Sequence, residues 1–175
     1  MELEHKFCGP EANITVGDDM GIAGYASLFG AADRGGDRVE PGAYAASLAT
    51  GRAVKMLWQH DPAQPIGVWD EVREDARGLY VKGRLLRGVA RAEEAAALIR
   101  AGAIDGLSIG YRTLRAGKND GGGRTLKELE LWEVSLVTFP MLPSARVAAK
   151  GEALDDSLRE LAAVFDDARL EMAGR

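Results

Sequence analysis

Along residues 128–140 the chain reads Glu128-Leu129-Glu130-Leu131-Trp132-Glu133-Val134-Ser135-Leu136-Val137-Thr138-Phe139-Pro140, the alternation of a β-strand. Strict alternation puts Leu129, Leu131, Glu133, Ser135 and Val137 on one face, with an acid in the middle of an apolar row. The opposite face begins with Glu128 and Glu130 and turns apolar at Trp132, Val134 and Leu136, the pattern of a strand running from a rim into an interior. Burying a carboxylate costs several kcal/mol unless it is paired or hydrogen-bonded. Glu133 therefore implies either a specific partner or a sheet edge where it reaches water.

The same pattern supplies the other elements. Residues 14–16 and 22–29 read as strands on either side of a turn-prone Gly/Asp segment, and a second Gly/Asp loop runs from Gly30 to Asp37. A short helix over 44–49 is closed by Gly51, and a second over 90–101 by Gly102. Residues 54–60 form a strand with Val54, Met56, Trp58 and His60 on one face, and Asp61-Pro62 stops it, leaving His60 at its end. Residues 65–72 and 78–85 pair across the polar turn 73–77. In the strand 104–112, Leu107, Ile109 and Tyr111 make the bulky face. Ser108 lies on the other, with Gly106 and Gly110 leaving open space around its hydroxyl. Residues 118–123 form a glycine-rich, mobile hairpin tip.

Composition narrows the class. At 175 residues the chain fits one folded domain with a real core. No apolar run is long enough for a membrane helix, and the N-terminus has no secretory pattern, so the expectation is a protein that stays in the cytoplasm and needs no membrane. The single cysteine, Cys8, has no partner for an internal disulfide. Of the net charge of −5, residues 151–175 carry −4: Glu152, Asp155, Asp156, Glu160, Asp166, Asp167 and Glu171 against three arginines. Neither part has the basic surplus of a nucleic-acid binder. In the tail, Leu154, Leu158, Leu161, Phe165, Ala168 and Met172 recur at spacings of four and three, the seam of an amphipathic or coiled-coil helix. The expected organisation is a domain over 1–150 and an acidic helical tail over 151–175. Asp33 and Asp37 lack a matching His or Cys cluster, so they read as turn residues, and no metal or cofactor is expected.

A serine with room around it, a histidine at a strand end and an acid on an apolar face are the parts of a nucleophile, a base and an orienter. Glu130, three residues before Glu133, is a second possible acid. Three words surround these residues: Leu57-Trp58-Gln59-His60-Asp61-Pro62 with Pro65-Ile66-Gly67; Gly106-Leu107-Ser108-Ile109-Gly110-Tyr111; and Leu131-Trp132-Glu133-Val134-Ser135-Leu136-Val137-Thr138-Phe139-Pro140. Together with Gly24-Tyr25-Ala26, Gly36-Asp37 and Pro41-Gly42-Ala43-Tyr44, they resemble the HK97-type prohead proteases of tailed phages over residues 20–147.

That resemblance implies a serine endopeptidase related to the herpesvirus assemblins, acting inside assembling proheads in the bacterial host on scaffold and capsid-protein segments. It implies a mostly β, α+β fold: a closed or nearly closed antiparallel β-barrel with a few surrounding helices, here followed by a C-terminal amphipathic helix. A homodimer is implied by the assemblins. Matched by position, Ser108 takes the nucleophile's place, His60 the general base's and Glu133 the third member's. Met141-Leu142-Pro143 departs from the Ala-Asn-Pro more usual in relatives. The alternative reading is a non-catalytic scaffold or assembly protein of the capsid, which would have no use for all three groups.

Overall fold

The computed structural model describes residues 4–7, 15–16, 19–33, 35–119 and 122–138. Cys8, the loop after Thr138 and the proposed C-terminal helix fall outside them. The order is β1 (Glu4–Phe7), β2 (Thr15–Val16), β3 (Gly21–Leu28), β4 (Arg38–Val39), α1 (Ala45–Ala49), β5 (Lys55–Trp58), β6 (Asp61–Glu74), β7 (Gly78–Leu85), α2 (Ala90–Arg100), β8 (Gly106–Lys118) and β9 (Arg124–Val137). Both helices stop where their glycines were expected to stop them, Gly51 at φ 70° and Gly102 at φ 70°.

The strands form one sheet in the order β1-β8-β9-β5-β6-β7-β3-β2, with β4 also paired to β9. It is a curled half-barrel, which corrects the expectation of a closed or nearly closed antiparallel barrel in two ways. First, β4 and β5 both run parallel to β9, because the segment between them carries the chain onward along one edge of β9, from Thr125 and Leu126 to the stretch from Glu133 to Leu136. That segment also serves the β9 edge: Leu129 N donates to Ala43 O at 2.9 Å and Leu131 N to Ser47 Oγ at 2.9 Å, keeping the edge satisfied between the two parallel strands. Second, the path ends on β1 and β2, which form no ladder with each other among the described residues. Instead α2 packs against β2, β6 and β7, burying Ala92, Ala95, Ala96 and Ile99, and its small side chains let it approach the sheet closely. No helix among the described residues is long and apolar enough to cross a membrane.

β8 and β9 carry the core. Leu107, Ile109 and Tyr111 lie on the core side of β8, and Leu126, Leu129, Leu131, Val134 and Leu136 of β9 join the same cluster. On β9 those positions are odd-numbered at 129 and 131 but even-numbered at 134 and 136. The switch has a local cause: Tyr111 pairs with Leu131 while the adjacent Gly110 pairs with Glu133, so Trp132 is an extra residue, a β-bulge. A one-residue shift exchanges the faces of everything beyond it. Arg52 covers the bulge, its guanidinium 4.1 Å from the centroid of the Trp132 ring.

Side-chain hydrogen bonds tie both glycine-rich loops, 30–37 and 118–123, to the rest of the chain at their described residues. Asn119 ties the stem of the β8–β9 hairpin to the loop before β4, donating from Nδ2 to Gly36 O at 2.8 Å and accepting Gly123 N–H at 3.0 Å. Asp33 and Asp37 are turn residues: Asp33 Oδ1 accepts Asp37 N–H at 2.8 Å, and Asp37 takes Arg124 N–H at 2.7 Å and its guanidinium at 2.6 Å. These bonds to Asp37, then those to Glu4, raise the Arg124 pKa further above its already high value.

The β6–β7 turn depends on Asp75, which accepts Arg77 N–H at 2.9 Å, Gly78 N–H at 3.1 Å, the Tyr25 hydroxyl at 2.8 Å and an Arg73 guanidinium at 2.8 Å. Partial burial opposes ionisation, but these donors prevail and lower its pKa from 3.8 to about 2. A depressed folded-state pKa stabilises the protein above the unfolded value, and the benefit fades as pH falls through the folded one. Asp75→Asn should therefore be less stable than the unsubstituted chain above about pH 4, with the gap narrowing toward about pH 2. Denaturant melts across that range measure it; a gap that widens on acidification would contradict the assignment.

Candidate active site

The bulge at Trp132 fixes which way the candidate residues face. Beyond it, Glu133, Ser135 and Val137 leave the face of Leu129 and Leu131 and pair with Gly110, Ser108 and Gly106 of β8. The apolar row expected to hold Glu133 is therefore interrupted, and the acid lies on the sheet face opposite the core. It is nonetheless buried, at 3% exposure, and the expectation of a specific partner holds where the edge alternative does not.

That partner is His60. Its ring Nδ1 lies 2.5 Å from Glu133 Oε1. The histidine is not the last residue of a strand, as alternation suggested. β5 ends at Trp58, which pairs with Asp61 at the start of β6, so Gln59 and His60 are the two central residues of a tight hairpin. Pro62 does not end the sheet; β6 carries Pro62 and Pro65 beside irregularities in its pairing with β5. Both turn residues have positive φ, 51° and 62°, as in the type I′ turns that normally favour Asn-Gly. A non-glycine residue there is strained by about 1–2 kcal/mol. Tertiary bonds hold the turn: Gln59 N donates to Leu136 O at 2.9 Å, Gln59 Nε2 to Thr138 Oγ1 at 2.6 Å, and His60 N to Ser135 Oγ at 3.1 Å.

Ser108 sits in β8, fully buried, directly opposite Ser135 on one side and Phe7 of β1 on the other. The expectation that Gly110 opens space beside it is corrected. A Cβ at Gly110 would overlap the Glu133 carboxylate, so the missing side chain makes room for the acid rather than for a substrate. Ser135 is the residue that sequence reading overlooked. It is fully buried and donates its hydroxyl proton to Glu133 Oε2 at 2.6 Å. Its signal was present: a hydroxyl two residues from a buried acid on one strand shares the acid's face.

Glu130 is elsewhere. Arg52 and Arg112 each bind it at 2.7 Å. The Arg52 bond is the largest of the effects that lower its pKa. The carboxylate that meets His60 Nδ1 is that of Glu133.

Residues 11–160 match the profile of the caudovirus prohead serine proteases. The chain belongs to that family. It is 36% identical over 152 residues to the prohead protease of Enterobacteria phage HK97, an alignment spanning 82% of this chain and 66% of that protein, slightly under two thirds of its length. Among solved structures it is similar to the bacteriophage T4 capsid assembly protease, with a TM-score of 0.63 at 20% identity. That match covers 79% of this chain and 98% of the other, and it shows a shared fold.

Gly110→Ala tests the packing argument without reference to activity. The added methyl should displace the carboxylate from His60, so the downfield proton resonance of a short Nδ1–H···O bond, visible in histidine-labelled protein, should vanish while the fold persists. Retention of that resonance would mean that Glu133 does not need the space.

Proposed function

We propose that this chain is a serine endopeptidase that cleaves scaffold and capsid-protein segments during prohead maturation, with Ser108 as nucleophile, His60 as general base and Glu133 as its orienter. Family membership supports the class of reaction, and the observation that carries the residue roles is the 2.5 Å contact between His60 Nδ1 and a buried carboxylate on the sheet face that also bears Ser108. A carboxylate accepts, so Nδ1 carries the proton and Nε2 is left as the basic nitrogen.

In this reading His60 Nε2 takes the Ser108 hydroxyl proton as Oγ attacks the scissile carbonyl carbon. The imidazolium, stabilised by Glu133, then gives the proton to the departing amine. Water enters by the same route reversed, releasing the acyl group from Ser108. The reaction takes place inside assembling proheads in the host, and no metal or cofactor takes part.

Two regions complete the proposal. Residues 1–150 form the protease unit, and residues 151–175 form the acidic helical tail, docked on the body or on a second copy in a homodimer. A seam this short needs such docking to be stable in water.

Co-expression with candidate capsid proteins, followed by intact-mass analysis, tests the activity. Ser108→Ala should remain folded and leave the capsid protein uncut, and His60→Ala should be nearly inactive. Glu133→Gln should fall well below the parent, since an amide cannot hold the required tautomer, whereas Glu130→Gln should stay close to it. Cleavage by a folded Ser108→Ala would remove Ser108 as nucleophile. A chain that binds capsid protein with all three groups intact and never cuts it would be the scaffold protein of the alternative reading.

For the tail, hydrogen exchange and light scattering on the full chain and on a form ending at Lys150 should show protection in residues 154–172 and a change of mass or of body protection on truncation. Rapid exchange throughout, with nothing changed by truncation, would exclude both docking modes.

A further inference from the structure

We infer that Ser135 is a positioning residue for the proposed site: one hydroxyl that sets both the carboxylate and the backbone turn presenting the base. The inference rests on the roles given above to His60 and Glu133.

A serine hydroxyl has one proton and two lone pairs. Here the proton goes to Glu133 Oε2 at 2.6 Å, and the oxygen accepts the His60 backbone N–H at 3.1 Å. Both partners of the His60–Glu133 contact are therefore fixed from the same atom. The carboxylate is held by Ser135 at one oxygen and meets the imidazole with the other. The turn, strained by positive φ at Gln59 and His60, is tied down at the residue that carries the imidazole. Ser135 is fully buried, and its strand is paired on both sides, with Ser108 of β8 and Leu57 of β5. Because its proton is committed to an acid rather than to a base, Ser135 is not a second nucleophile, although it lies directly across the ladder from the first.

A purely structural role would show as lost stability alone, whereas a positioning role moves the chemistry and leaves binding. The probe is a fluorophosphonate, whose phosphorus is attacked by an activated serine oxygen with loss of fluoride; intact mass follows the adduct. In Ser135→Ala, with its melt recorded, the limiting rate of modification (kinact) should drop about 10- to 100-fold, as expected for loss of a hydrogen bond to a charged group. The concentration dependence (KI) should stay within about twofold of the parent. The downfield His60 Nδ1–H resonance should shift or broaden, and His60 N–H exchange should quicken.

Ser135→Thr, which keeps the hydroxyl, should recover most of the rate. Ser135→Cys, a weak donor of similar size, should not, and this pair decides the matter if the alanine variant fails to fold. A folded Ser135→Ala with kinact within about twofold of the parent, or with the resonance unchanged, overturns the inference, as do equal rates for the threonine and cysteine variants. Ser108→Ala separates the two readings. Loss of labelling there with no effect at Ser135 refutes the positioning role and leaves the protease standing. Labelling that survives Ser108→Ala refutes the nucleophile, while the resonance still reports on Ser135.

Discussion

A carboxylate buried at 3% exposure constrains everything around it. Removing such a charge from water carries a penalty of several kcal/mol, and hydrogen bonds to a charged group return about 1.5–3 kcal/mol each. Glu133 is bonded to His60 through Oε1 and to Ser135 through Oε2. The arrangement also needs Gly110, because any side chain there would occupy the carboxylate's position. Four residues on two strands and a turn are thus determined together, and a change at one disturbs the pairing of a buried charge.

The sheet supplies the rigidity this requires. Over its last residues β9 is flanked by β8 and β5, so the backbone at Glu133 and Ser135 is fixed from both sides. The bulge at Trp132 lets one strand serve two purposes. Before it, Leu129 and Leu131 point into the core; after it, Val134 and Leu136 take over that task and release Glu133 and Ser135 to the other face. A regular strand would put Glu133 among the leucines, where no histidine could meet it. Bulges recur beside functional sites because they re-aim a side chain without disturbing the rest of the ladder.

Much of this was legible in the chain. Local patterns gave the helices with their glycine stops, the bulky face of β8 and the alternation of β9. The same patterns drew attention to His60, Ser108 and Glu133, although for the acid the reasoning was right about the need for a partner and wrong about the face. What stayed hidden is nonlocal. A bulge is a property of two strands in register, and nothing in Leu131-Trp132-Glu133 marks Trp132 as the extra residue. The parallel pairing of β5 with β9 and the open edge of the half-barrel are likewise settled by partners far away in sequence. Gly110 carried a signal that was misread: its neighbour Ser108 suggested room for a substrate, but the group that fills the space is 23 residues further along the chain.

The turn at Gln59 and His60 shows the same dependence in its strongest form. Gln-His has no intrinsic preference for positive φ at both positions, so the hairpin alone would favour another geometry. It adopts this one because Leu136 O, Thr138 Oγ1 and Ser135 Oγ are in place to receive it, and all three belong to the β9 stretch or the residue that follows. The imidazole is therefore brought to Glu133 only once β9 has docked beside β5. Strain confined to two residues and balanced by bonds from one strand couples the proposed base to the completion of the sheet. An incompletely assembled chain would contain His60 and Glu133 without the contacts that bring the proposed base to its acid.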